Sequence, residues 1–192
     1  MARAIYLTHP EVVIDPDVAV PDWGLNAAGA ARVAALVARG VARTLYVVSS
    51  AERKALETAW PLSAATGHAL EVRPMMHEND RSATGFLKGP AFEDMANAFF
   101  AAPDTSVKGW EPARAAQARI LAEVKRVLAA QPDRDVLFCG HGGVGTLLYC
   151  ALAGEEISRR WDQRGGGHWF AFDTTHLRPA GHWAPMETLA LA

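Results

Sequence analysis

The chain has 192 residues, 50% of them hydrophobic, with 21 acidic and 19 basic side chains and a formal net charge of −2. That length suits one domain with a sizeable core. The interspersed, nearly balanced charge argues against a general nucleic-acid or membrane-surface binder, and no apolar run approaches a membrane span.

In chain order, "MARAIYLTH" runs into a strand pattern without the apolar core or cleavage site of a signal peptide. With only two cysteines, Cys139 and Cys150, this gives the expectation of a reduced, cytoplasmic protein. "AIYLTH" reads as a buried strand, and "PDWGLNAAGAARVAALVARG" as a turn and a helix with Asn26 as N-cap and Gly40 as stop. "TLYVVSS" is a second strand. Ala51 to Gly67 reads as a helix that Pro61 should kink or break. "ALEVRPMM" is a third strand, "ENDRSATGFLKGP" a loop, "AFEDMANAFFAA" a short helix and Pro103 to Gly109 a loop. From Pro112 to Ala130, the residues Ala113, Ala116, Ile120, Val124 and Val127 mark one helical face. "DVLFCG" is a fourth strand, "VGTLLYCALAG" a helix ending at Gly154, and "HWFAFD" the last strand. Alternating strands and helices predict an α/β fold, a three-layer αβα sandwich around a mainly parallel sheet.

In such a sheet, ligands bind beyond the carboxyl ends of the strands. Thr8 and His9 follow the first predicted strand; Ser49, Ser50, Arg53 and Lys54 the second; His77, Glu78, Asp80 and Arg81 the third; Gly140 and His141 the fourth. Two histidines, a carboxylate and several cations or hydroxyls on one edge predict a nucleophile, an acid and an anion cradle. Gly140, Gly142 and Gly145 also fit the G-x-G-x-x-G spacing of a dinucleotide-binding loop. That loop comes late in the chain, however, and no acidic residue ends the next strand at the right distance for a ribose. A metal held by His9, Glu78 and His141 is a further alternative, without HExxH or Cys-rich spacing to support it.

Taken together, "LTHPEV", "PDWGLNAAG", "SSAERKALETA", "HEND" and "GHGGVG" resemble the histidine phosphatase superfamily, with its phosphoglycerate-mutase-like fold, over most of the chain. In that family the first strand ends in Arg-His-Gly, whose histidine accepts the phosphoryl group; His9 takes its place. The Ser-Pro-Leu-x-Arg-Ala-x-x-Thr-Ala motif falls on Ser50 to Ala59, Glu78 takes the place of a proton-donating glutamate, and His141 matches a second histidine in a Gly-His-Gly-Gly setting. The chain departs from the pattern at Thr8, Pro10 and Lys54, where the family has arginine, glycine and arginine. Threonine carries no charge and lysine lacks the bidentate fork of arginine.

The resemblance implies a phosphomonoester hydrolase or phosphomutase acting on a small phosphorylated metabolite through a phosphohistidine, without metal or organic cofactor. It makes His9, Glu78 and His141 catalytic, with Thr8, Ser50, Lys54 and Arg81 binding phosphate and Arg81 compensating for the lost arginines. Glu78, its pKa raised by burial, is expected to donate the proton, and the helix after His141 to turn its positive end to the anion. A single domain is expected over 1–192, with a lid at about 80–110. The alternative is a non-catalytic protein of the same fold that binds phosphate ligands or another protein.

Overall fold

The computed structural model describes residues 2–190. The outermost residues of the domain expected over 1–192 therefore lie outside the described residues. Six strands form one mixed sheet: β1 (Arg3–Thr8), β2 (Tyr46–Ser50), β3 (Glu71–Arg73), β4 (Val136–Gly140), β5 (His168–Asp173) and β6 (Ala184–Pro185). Their spatial order is β3-β2-β4-β1-β5-β6. The first four in that order run parallel, whereas β5 and β6 are antiparallel to their neighbours.

Five helices cover the sheet: α1 (Ala27–Ala38), α2 (Arg53–Thr66), α3 (Gly89–Ala101), α4 (Ala113–Ala130) and α5 (Gly142–Ala153). The alternation of side chains along a strand explains the layers. Tyr6, Val48, Val136 and Phe138 pack on one side with residues of α3, α4 and α5. Ile5, Leu7, Val47 and Leu137 pack on the other with α1 and α2. The central strands are buried on both faces, hence their continuous apolar runs.

Helix boundaries follow local chemistry. Asn26 accepts the backbone N–H of Gly29 and caps α1. Gly67 and Gly154 end α2 and α5 in the left-handed conformation. Three expectations change. Helix α2 is not broken by Pro61, which lies on its exposed face. Strand β3 stops at Arg73, because Pro74 has no N–H for the ladder and opens a 3-10 turn, Pro74–Met76. Strand β6, two residues with a proline, follows the strand expected to be last. The 80–110 segment comprises a loop and α3, whose Met95, Phe99 and Phe100 are buried in the core together with Trp110.

Adjacent strand ends set the site. In the β1–β4 ladder Thr8 stands opposite Gly140, so the residues that follow, His9 and His141, emerge side by side. On the other side of β4 the end of β2 delivers Ser50.

Candidate active site

The rings of His9 and His141 lie 5.4 Å apart, edge to face. The Nδ1 of His9 is 2.9 Å from the carbonyl of Pro10, and the His9 backbone N–H donates to Gly140. A carbonyl only accepts, so that contact places the proton on Nδ1 and leaves Nε2 with its lone pair. Burial first, then the neighbouring His141, lowers the pKa of His9 to about 3, which keeps the ring neutral near pH 7.

Tyr6 holds the start of α5. Its buried hydroxyl accepts the backbone N–H of His141 at 3.1 Å and donates to the His141 carbonyl at 3.2 Å. Gly140 permits this approach, since a Cβ there would meet the tyrosine oxygen at 2.2 Å. The His141 side chain is fully buried; Nε2 lies 2.8 Å from Ser50 Oγ, and Nδ1 has no partner.

Glu78 differs from its expected state. Its carboxylate accepts the backbone N–H groups of Gly143 and Val144 at 3.0 and 2.9 Å, at the N-terminus of α5, and that of Asn79 at 3.0 Å. Burial alone would raise its pKa, but Arg81, His141 and the Val144 N–H outweigh it and leave the group below its ordinary value, ionised. The positive end of α5, expected to face a bound anion, is occupied by this carboxylate. Gly143 admits it, as a Cβ would sit 2.7 Å from Glu78 Oε1. The same N–H groups are thereby unavailable to a dinucleotide pyrophosphate, which removes that alternative.

The remaining expected residues are also brought to this edge, with partners of their own. Lys54 is buried, but its ammonium donates to the Val20 carbonyl at 2.8 Å and to Glu52 at 2.5 Å. The lysine expected to bind phosphate is thus ion-paired in this structure. Arg53 points outward, paired with Glu57. Arg81 lies 3.8 Å from Glu78 and over the rings of Phe92 and Trp110, 5.4 and 5.5 Å from their centroids. The Thr8 hydroxyl, an expected phosphate donor, instead donates to Gln163 Oε1 at 2.7 Å and accepts the His168 N–H at 3.0 Å. Among the described residues no group of three or more His, Cys, Asp and Glu is placed to hold a metal ion.

Two residues here escaped the sequence analysis. Glu52 stands immediately before α2, at the end nearest the site, and Oε1 accepts the Glu78 backbone N–H at 2.8 Å while standing 3.6 Å from His141 Nε2. Burial opposes its ionisation, yet His141 and Lys54 bring its pKa down to about 2. A signal existed: Glu52 sits where the family motif has leucine, two residues before the lysine it pairs with. Gln163 accepts the Thr8 hydroxyl, and its Nε2 lies 2.5 Å from where a Cβ of Gly142 would lie. Its Gly-rich surroundings, "QRGGG", carry no motif that marks it.

The sequence model of the histidine phosphatase superfamily (branch 1) matches residues 18–170. The match starts downstream of His9, so the placement of His9 rests on geometry. A mycobacterial glucosyl-3-phosphoglycerate phosphatase in complex with inorganic phosphate is similar in structure, with a TM-score of 0.77 and 23% identity over 98% of this chain and 100% of that one. A phosphoserine phosphatase from Entamoeba histolytica in complex with 3-phosphoglyceric acid also has a TM-score of 0.77, at 16% identity over 98% of this chain and 100% of that one. At these identities the likeness shows the fold. No curated protein matches the sequence.

Proposed function

The chain belongs to the histidine phosphatase superfamily, and we propose that it hydrolyses a small phosphomonoester through a phosphohistidine on His9. The observation that carries this reading is the oriented pair of rings: a neutral His9 with Nδ1 fixed by a carbonyl, beside a His141 whose Nδ1 lacks a partner.

Nε2 of His9 attacks phosphorus and the alkoxide leaves in line. The Nδ1 of His141, as N–H, and the free amide of Gln163 are the donors this edge has to offer to the phosphoryl oxygens. In the second half-reaction the ionised Glu78 takes a proton from the attacking water. The first half-reaction needs a proton for the leaving oxygen. It enters on the substrate: a phosphomonoester monoanion carries one proton, which passes to the alkoxide oxygen as the P–O bond breaks and the bond to His9 Nε2 forms. Sugar and amino-acid phosphates define the substrates to assay first, because the structurally similar phosphatases act on such compounds.

The pairing of both site cations favours a second reading, a phosphate-binding protein without turnover. Steady-state assays on a panel of phosphomonoesters separate the two. We expect turnover by wild type and loss of it in His9→Ala; equal activity of the two proteins removes His9 from the reaction.

A further inference from the structure

The charges fixed around the two histidines cancel in pairs. Lys54 is bound to Glu52, and Arg81 lies against Glu78. Arg164 is exposed on the loop whose Gly167 N–H donates to the His9 carbonyl. A phosphoryl dianion therefore meets no unpaired cation between the rings. We infer that an oxyanion enters this pocket together with a proton, that His141 holds the proton, and that Glu52 is the residue that positions it. The inference rests on the reading of the pocket as a phosphoryl site.

The geometry is specific to Nε2 of His141. That atom faces the Ser50 hydroxyl at 2.8 Å and the Glu52 carboxylate at 3.6 Å, while Nδ1 is buried without a partner. Ser50 Oγ already takes the Glu52 backbone N–H at 3.3 Å. On protonation Nε2–H donates to Ser50 with the carboxylate behind it, and Nδ1–H is left as a charged donor for an oxyanion oxygen. Glu52 is immobilised for this task by the Lys54 ammonium on Oε2 and the Glu78 N–H on Oε1.

The groups facing His141 come from every neighbouring element: His9 after β1, Ser50 at the end of β2, Glu52 and Lys54 at the start of α2, Glu78 and Arg81 after β3. Burial lowers the pKa of His141 against the opposing pull of Glu52 and Glu78. The two negative charges of an oxyanion reverse that balance. The protonated ring then supplies the positive charge that arginine supplies elsewhere in the family.

Sulfate is the appropriate probe, because it stays a dianion throughout the neutral range and brings no proton of its own. Calorimetric titration in buffers of different ionisation enthalpy, between pH 6 and 9, counts protons taken up on binding. Uptake should approach one proton per sulfate, and affinity should weaken by about tenfold per pH unit on the alkaline side. Glu52→Gln should abolish the uptake, whereas Glu78→Gln should retain it. Sulfate binding to wild type without proton uptake overturns the inference alone and assigns the charge to a fixed cation such as Arg164. Uptake lost in Glu78→Gln and kept in Glu52→Gln also overturns it, by moving the proton to Glu78. Failure of sulfate, phosphate and vanadate to bind at any pH removes the inference together with the phosphoryl-site reading.

Discussion

The two flanks of the site solve the same problem differently. On the β1 side, His9 is fixed by neutral groups: the Pro10 and Gly140 carbonyls, with Thr8 and Gln163 linked beneath it. On the β2 side, around His141, four charged residues are buried or half-buried as the pairs Glu52–Lys54 and Glu78–Arg81. The nucleophile role proposed for His9 calls for orientation and a free lone pair, which carbonyl acceptors supply without charge. The partner histidine needs a field that can change sign when an anion arrives, and paired ions provide one that is balanced until then. The chain lacks arginine at both positions where the family resemblance expects it, and the cations the site does carry, Lys54 and Arg81, are held in ion pairs on one flank.

Breaking a pair tests the charged flank with the largest expected effect on stability. Lys54→Met leaves Glu52 buried without its counter-ion and should cost roughly 3–5 kcal/mol in denaturant unfolding. Glu52→Leu with Lys54→Met should recover most of that loss, since two apolar side chains replace a buried pair at little net cost. If the single and double variants lose equally, Lys54 contributes through packing and the pair has no special role.

The neutral flank is tested by adding charge to it. Thr8 is fully buried and hydrogen-bonded to Gln163, so Thr8→Arg must displace that amide. Overpacking of this kind costs about 1–3 kcal/mol. Turnover should fall, although the substitution restores the family residue. A gain in turnover would show that the neutral flank is a defect and not an alternative design.

A smaller effect separates the flanks by pH. The pKa of His9 lies below its ordinary 6.5, at about 3, through burial and the nearby His141. The unfolded chain therefore binds that proton first, so between these values stability rises with pH and is lost on acidification. Glu52, lowered to about 2, extends the loss to still more acid solution. His9→Gln should flatten the stability profile between about pH 6 and 4; an unchanged slope there would mean that His9 titrates normally in the folded state.

Which parts of this were legible in the sequence follows the same division. The strand ends, both histidines and the glycines that let α5 approach Tyr6 and Glu78 were readable, because buried parallel strands are continuous apolar runs and the loops follow them directly. Strand β3 was overextended because Pro74 was not weighed as a ladder breaker, and β6 is too short to carry any periodicity. Residue positions at the site were read better than residue states. Lys54 and Arg81 pair with close sequence neighbours, Glu52 and Glu78, whereas the partner of Thr8, Gln163, lies 155 residues away and is set by the fold alone. Glu78 was expected to be protonated by burial; the N–H groups of α5 and Arg81, none of them adjacent to it in sequence, decide otherwise. Glu52 stands where an apolar side chain was expected, and only the fold puts it beside His141.

The central claim is that His9 becomes covalently phosphorylated. The direct measurement is an alkaline denaturing quench during turnover of a phosphomonoester, followed by mass analysis, kept at alkaline pH, of the peptide that contains His9. The account predicts an acid-labile, alkali-stable phosphoryl group on His9, absent from His9→Ala and accumulating in Glu78→Gln, where hydrolysis has lost its base. Turnover with no phosphoryl group on His9 at any quench time, in either wild type or Glu78→Gln, would contradict it.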